Sequence, residues 1–130
     1  MSVVLVGFVL CASAIGYGLK KRSAGRLELQ NREAFYRSAL AAYSKDLKLG
    51  MTRKEVEDYL GARGTPFEKG VAADLVKIGQ ERSPEWFCSE LEVFVSFDFE
   101  AVEPHSRALE PHAMDVLDKA HIYSRAGGCL

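Results

Sequence analysis

The chain has 130 residues, of which 48% are hydrophobic and 27% are charged, and its formal net charge is −1. This length allows one domain, and this composition excludes a wholly disordered protein. A nucleic-acid-binding protein would carry a basic stripe on its folded part, which this sequence lacks, so we predict no nucleic-acid partner.

The first segment, residues 2–19, contains no charged side chain and is followed directly by three basic residues. A helix of that length reaches about 27 Å, which is just enough to cross the apolar core of a thin bilayer. We therefore predict an uncleaved transmembrane anchor over residues 1–22, which contacts membrane lipid through residues 2–22. The remaining residues, 23–130, are predicted to form one small domain.

Two features disagree about the side of the membrane on which this domain lies. Residues 20–37 carry six Lys or Arg side chains against two Glu, and the positive-inside rule then places the domain in the cytoplasm. A disulfide, considered below, requires an oxidising compartment instead. A cleaved signal peptide is the alternative to an anchor, because Ala12-Ser13-Ala14 follows a short apolar run. We expect a single-pass anchor with the domain on the extracytoplasmic side.

An amphipathic helix is predicted from Asn31 to Lys48. Apolar side chains recur there at helical spacing, among them Tyr36, Leu40 and Tyr43, and form one stripe. Gly50 follows as a residue that adopts the left-handed conformation at a helix end without strain.

A second helix is predicted from Arg53 to Arg63, and its start is the best-specified local feature of the chain. Thr52 is a favourable N-cap, and Glu55 completes a Thr-x-x-Glu capping box. Met51 before the cap and Val56 in the first turns form the matching hydrophobic staple. The short turn between the two helices predicts an αα-corner.

Three strands are predicted after the helices, at Asp74–Gly79, Leu91–Glu100 and Val116–Arg125. The second strand alternates most clearly, and its odd-numbered side chains are expected to point inward. Consecutive strands without crossover helices favour antiparallel pairing. The expected fold is α+β: an N-terminal membrane helix and then an ααβββ domain, with two helices packed on a three-stranded antiparallel sheet.

Residues 47–61 read Leu-Lys-Leu-Gly-Met-Thr-Arg-Lys-Glu-Val-Glu-Asp-Tyr-Leu-Gly. This segment resembles the L-x-x-G-M-T-x-x-x-V-x-x-x-L-G signature of the BamE/SmpA/OmlA family of small envelope proteins, which also share the ααβββ order. The resemblance implies an extracytoplasmic, membrane-tethered scaffold that helps to assemble outer-membrane proteins. The helix-corner motif consists of Gly50, Met51, Thr52, Glu55, Val56, Leu60 and Gly61.

Cys88 and Cys129 are candidates for a disulfide. If the last two strands pair so that these cysteines face each other, Val95 faces Ile122 on the apolar side of the sheet. The register that pairs the cysteines therefore agrees with the hydrophobic alternation of both strands, which is an independent requirement. Two reduced cysteines are the alternative.

The long loop before the last strand repeats Glu-Pro-His, at residues 103–105 and 110–112. Histidine and carboxylate side chains bind zinc or copper, so a metal- or ligand-binding role for loop 103–112 is the alternative function. A solvated polar loop is the simpler interpretation, because the spacing matches no closed metal site.

The single tryptophan, Trp86, lies two residues before Cys88. If it is exposed together with Phe94 and Tyr123, the three form an aromatic patch suited to a protein partner. The sequence contains neither a Gly-x-Ser-x-Gly elbow nor a phosphate-binding glycine loop. We therefore predict a non-catalytic interaction or envelope-assembly module with no cofactor and with an unknown protein partner.

Overall fold

The computed structural model describes the backbone of residues 2–84, 86–102 and 111–129 and, within these ranges, the side chains from residue 24 onward. The chain divides into two compact units, residues 1–35 and 36–130. The first unit is the N-terminal part of a helix, and the second contains the end of that helix and all other elements. The elements are α1 (Ser2–Asp46), α2 (Arg53–Ala62), β1 (Glu68–Lys69), β2 (Ala73–Arg82), β3 (Cys88–Glu100) and β4 (Val116–Cys129).

The predicted α+β class is confirmed, with two helices on one antiparallel sheet, but the predicted number of strands is wrong. The sheet has four strands in the order β1-β2-β3-β4. The additional strand, β1, pairs through Glu68 with Leu75 and through Lys69 with Asp74. A strand of two residues is too short to show an alternating pattern, which is why the sequence does not reveal it.

The first helix also differs from the prediction. An anchor and a separate helix from Asn31 to Lys48 were expected, whereas α1 is one helix from Ser2 to Asp46. The residues between the two predicted helices are mostly good helix formers and include no proline, so nothing stops the helix there. An anchor is predicted over residues 1–22, whose side chains lie outside the described residues. Among the described residues, no helix is both long and apolar enough to cross a membrane.

The strands are longer than predicted but keep the predicted directions. β2 extends to Arg82, β3 begins at Cys88 and β4 continues to Cys129. A bulge between Lys77 and Gly79 shifts the pairing of β2 with β3. Because a bulge interrupts the two-residue period, the alternation of β2 after Gly79 does not follow one face.

The core lies between the helices and one face of the sheet, called the core face. Odd-numbered side chains of β3 point into it, as the alternation predicts. Tyr43 of α1 packs edge-on against Phe97 of β3, with ring centroids 5.6 Å apart. The buried members of the cluster are Leu47, Val56, Leu60, Val76, Val95, Phe97, Phe99 and Leu117. Each buried side chain of this size contributes about 1.5–3 kcal/mol, so the core face is the main source of stability.

The helix corner forms as its residues predict. Gly50 has a φ of 86°, in the left-handed region. The Thr52 side chain accepts from the backbone N–H of Glu55, and the Glu55 carboxylate accepts from the backbone N–H of Thr52 at 2.7 Å. The turn is also tied to the sheet, since the Gly50 N–H donates to the Leu117 carbonyl at 2.8 Å.

A buried ion pair joins the start of α2 to the start of β2. Arg53 and Asp74 are both fully buried, and the Arg53 guanidinium donates to the Asp74 carboxylate. It also donates to the carbonyls of Gly70 at 2.6 Å and Val71 at 3.0 Å, and it lies 4.8 Å from the Phe99 ring centre. Burial raises the pKa of Asp74, against the lowering effect of Arg53.

Candidate functional site

The loop between β2 and β3 carries the most exposed large hydrophobic side chain among the described residues. Trp86 is 93% exposed. Its ring stands edge-on to that of Phe87, which is 43% exposed, with the centroids 5.7 Å apart. Large aromatic side chains usually bury most of their surface in a fold, so an exposed pair of this kind marks a candidate interaction surface.

The first residue after this loop, Cys88, pairs with Cys129 across β3 and β4. The two side chains are placed to form a disulfide. The same register places Val95 opposite Ile122, so the predicted strand register is confirmed. The cross-link joins the first residue of β3 to the last residue of β4 and so holds the end of the loop that follows Trp86 and Phe87.

A depression of about 650 Å³ lies beside the exposed aromatic pair. Gly128 forms part of its wall with a φ of 61°, and a side chain at this position would collide with Ser89. The described residues around the depression are Arg82, Ser83, Pro84, Trp86, Phe87, Cys88, Ser89 and Gly128. Aromatic, polar and cationic groups therefore meet at one end of the sheet, which we call the Trp86 site.

The predicted aromatic patch of Trp86, Phe94 and Tyr123 is not formed as one exposed surface. Phe94 is fully buried, whereas Tyr123 is 40% exposed. The Tyr123 ring lies 6.3 Å from that of Phe94, and the Arg125 guanidinium lies 4.8 Å from the Phe94 ring centre. Phe94 is therefore covered by its neighbours on β4, and the prediction that it contributes to an exposed patch is wrong.

Charged side chains from all four strands form a network on the face of the sheet opposite the core, called the open face. Arg125 contacts Glu92 at 2.8 Å and Glu68 at 3.1 Å, and Lys77 contacts Glu92 at 2.7 Å. Flat strands would place the two edge strands about 14 Å apart, so the Glu68–Arg125 contact indicates that the sheet curves over Phe94. Hydrogen bonds from Lys77 and Arg125 lower the pKa of Glu92.

This network was missed in the sequence, although one signal was present: the register that pairs the cysteines also places Glu92 opposite Arg125. Its cations and carboxylates neutralise each other. We interpret the network as a set of ion pairs that stabilises the open face, and not as a binding site for a charged ligand.

A second polar cluster on the open face contains the residue types of a catalytic triad in another arrangement. The Ser96 hydroxyl donates to the Asp98 carboxylate at 2.6 Å, and the His121 Nδ1 lies 3.4 Å from the same carboxylate. Ser96 is only 3% exposed. The hydroxyl is bonded to the carboxylate and not to the imidazole, so the three residues lack the serine–histidine contact of a catalytic triad.

The predicted metal loop is only partly described. Residues 103–110, including His105, lie outside the described residues. The His112 Nδ1 accepts a hydrogen bond from the Met114 N–H at 3.3 Å. Within the described residues, no group of three or more His, Cys, Asp or Glu side chains is placed to hold a metal ion. Metal binding by loop 103–112 stays a prediction.

No protein-family model, no curated protein and no solved structure matches this chain. The resemblance of residues 47–61 to the BamE/SmpA/OmlA family therefore stays a prediction.

Proposed function

We propose that this chain is a membrane-tethered, non-catalytic interaction module whose contact surface is the Trp86 site. The observation that carries the proposal is the 93% exposure of Trp86 beside the half-exposed Phe87 ring. The cysteine pair holds the end of the loop at Cys88, which reduces the conformational entropy that the loop loses when a partner binds.

The size of the aromatic surface supports a binding role. Burying a tryptophan against a partner removes roughly 150–250 Å² from water, and truncating such an anchor costs about 2–4 kcal/mol in many interfaces. The adjacent depression offers space for one side chain of the partner. The partner that best fits this site presents an apolar side chain surrounded by polar groups.

The tether is the second part of the proposal, and it is supported by the sequence. Residues 2–19 are uncharged and precede a basic cluster, which is the pattern of a single-pass anchor. We place the domain on the extracytoplasmic side, because a disulfide persists in an oxidising compartment. An envelope-assembly role, as the family resemblance implies, is consistent with this placement.

Site-specific photocross-linking in native membranes tests the contact surface. The same photoreactive aromatic amino acid, which keeps an aromatic ring at the substituted position, replaces Trp86 in one full-length variant and Leu49 in another. Leu49 is a suitable control because it is also apolar and 70% exposed but is not among the residues around the Trp86 site. We expect a discrete protein adduct from position 86 alone, displaced by excess unlabelled chain at least about thirtyfold better than by its Trp86→Ala variant.

Equal adducts at the two positions, or displacement by Trp86→Ala as effective as by the unmodified chain, would exclude the Trp86 site as the contact surface. A C-terminal alkaline phosphatase fusion tests the tether independently. We expect it to be active and membrane-bound. An inactive fusion would place the domain in the cytoplasm, and a soluble fusion would show that no anchor is retained.

A further inference from the structure

We propose that the outer edge of β4, from Lys119 to Gly127, binds an extended segment of another protein as a fifth, antiparallel strand. β4 is an edge strand of 14 residues. Its pairing with β3 runs without a bulge from Lys119 to Gly127, and this stretch contains no proline. An edge of this kind presents a row of N–H and C=O groups to which another strand can add.

Near the start of β4, the same edge already pairs with a short extended segment of this chain, at Gly50 and Met51. The Gly50 N–H donates to the Leu117 carbonyl at 2.8 Å, and the Leu117 N–H donates to the Met51 carbonyl at 2.8 Å. This short segment lies antiparallel to β4. From Lys119 onward, no backbone group of the described residues bonds to the outer edge. The added fifth strand, called the guest strand, would therefore continue along β4 the antiparallel pairing that residues 50–52 begin.

The path of α1 leaves space for a guest strand on the core face. Within the second unit, Tyr43 of α1 packs on Phe97 of β3, and Tyr36, nearer the N-terminus, lies against Gly79 of β2. The helix thus runs diagonally away from β4. As a result Ile122 of β4, which points to the core face, is only partly buried, and a guest side chain can pack beside it.

The charge of the β4 side chains on the open face determines which guest strand fits this edge. β4 presents Lys119, His121, Tyr123 and Arg125 there. Arg125 is already paired with Glu92 and Glu68, and His121 lies beside Asp98, so Lys119 is the cation that remains for a carboxylate of the guest. Lys119 is exposed and has no ion-pair partner among the described residues. Cross-strand neighbours of opposite charge stabilise a sheet. The guest is therefore an extended segment with apolar residues toward the core face and an acidic residue beside Lys119 on the open face.

A second copy of this chain fits the edge poorly. Two β4 strands that pair antiparallel about a twofold axis place open-face residues opposite open-face residues. No open-face residue of β4 from Lys119 to Gly127 is acidic, so no register gives Lys119 a carboxylate partner. The register that places Lys119 opposite Arg125 of the other copy brings two cations into directly opposite positions, which destabilises a sheet. The geometry points to a different protein as the source of the fifth strand.

The test uses the isotope-labelled full chain in non-ionic detergent micelles and three end-blocked nine-residue peptides. The first peptide alternates valine with glutamate, the second alternates valine with lysine, and the third is the glutamate peptide with alternate amides N-methylated. NMR titration measures binding, and hydrogen exchange measures protection of the amides from Lys119 to Gly127. Variants Lys119→Glu and Trp86→Ala are titrated in parallel.

We expect saturable binding of the glutamate peptide, about tenfold tighter than the lysine peptide, and slowed exchange at alternate β4 amides. The N-methylated peptide should not bind, Lys119→Glu should weaken the glutamate peptide, and Trp86→Ala should leave it unchanged. The unchanged Trp86→Ala result separates strand addition from the Trp86 site. Equal binding of the first two peptides, or no protection along β4, would overturn the proposal. Concentration-dependent protection without peptide would assign the edge to a second copy instead.

Discussion

Replacement of Arg53 by methionine should destabilise the domain more than any other single loss of charge among the described residues of α2. Arg53 and Asp74 are both fully buried, and the guanidinium also donates to the carbonyls of Gly70 and Val71. Arg53→Met keeps much of the side-chain volume but leaves the Asp74 carboxylate buried without its cation. The lost hydrogen bonds also leave two carbonyl groups with one donor fewer.

The expected loss is about 3–5 kcal/mol at pH 7, the usual cost of removing one partner from a buried ion pair. This is a large part of the roughly 5–15 kcal/mol that stabilises a typical domain. Lys54→Met is the matched control on the same helix. The Lys54–Asp58 pair has side chains that are 66% and 64% exposed, and exposed pairs of this kind often contribute nothing measurable.

The loss should depend on pH in a defined direction. Arg53 lowers the pKa of Asp74, whereas burial raises it, so removal of Arg53 raises the folded-state pKa further. The folded variant then binds a proton more readily than the unfolded chain. The contribution of Asp74 to the stability of the variant is fully present below the ordinary pKa of an aspartic acid and is lost as pH rises through the raised value. The deficit of Arg53→Met should therefore be smaller at pH 4 than at pH 7.

Urea unfolding of the full chain in non-ionic detergent, followed by near-ultraviolet circular dichroism, measures these differences. The double variant Arg53→Met/Asp74→Leu has no buried carboxylate and should recover about 1–3 kcal/mol relative to Arg53→Met. If Arg53→Met is as stable as Lys54→Met, or if the double variant is no more stable than the single one at pH 7, the ion pair does not stabilise the domain in the way described.

Three other changes have defined outcomes. Reducing the Cys88–Cys129 bond, whose ends are 41 residues apart, should cost about 4 kcal/mol in the chain-entropy model; a urea midpoint that dithiothreitol does not move would contradict this. Gly79→Ala should cost about 1–3 kcal/mol, because a Cβ there would lie 2.7 Å from the Tyr36 ring, and the loss should disappear in a Tyr36→Ala background. Hydrogen bonds to Glu92 lower its pKa, so its contribution is present above the ordinary glutamate pKa and is lost as pH falls through the lowered value. Unfolding at several pH values should show Glu92→Gln losing less stability on acidification than the unmodified chain, and parallel profiles would refute this role.

Local patterns were sufficient to predict the features that depend on neighbouring residues. The capping box of Thr52 and Glu55 depends on a spacing of three residues along one helix turn, and it forms as predicted. The core face of β3 follows from the two-residue period of a strand. The register that pairs Cys88 with Cys129 followed from that period together with the cysteine positions, and the sheet has it.

Tertiary structure decided the features that depend on curvature and on contacts between distant segments. Period alone places Phe94 on the open face, but only the curved sheet, with Arg125 and Tyr123 above the ring, buries it. Nothing local in the sequence joins Arg53 to Asp74, 21 positions further along the chain. The sequence by itself determined which side chains share a face, because that depends on backbone period; three-dimensional packing determined which of them lose water, because burial depends on what the rest of the chain places above them.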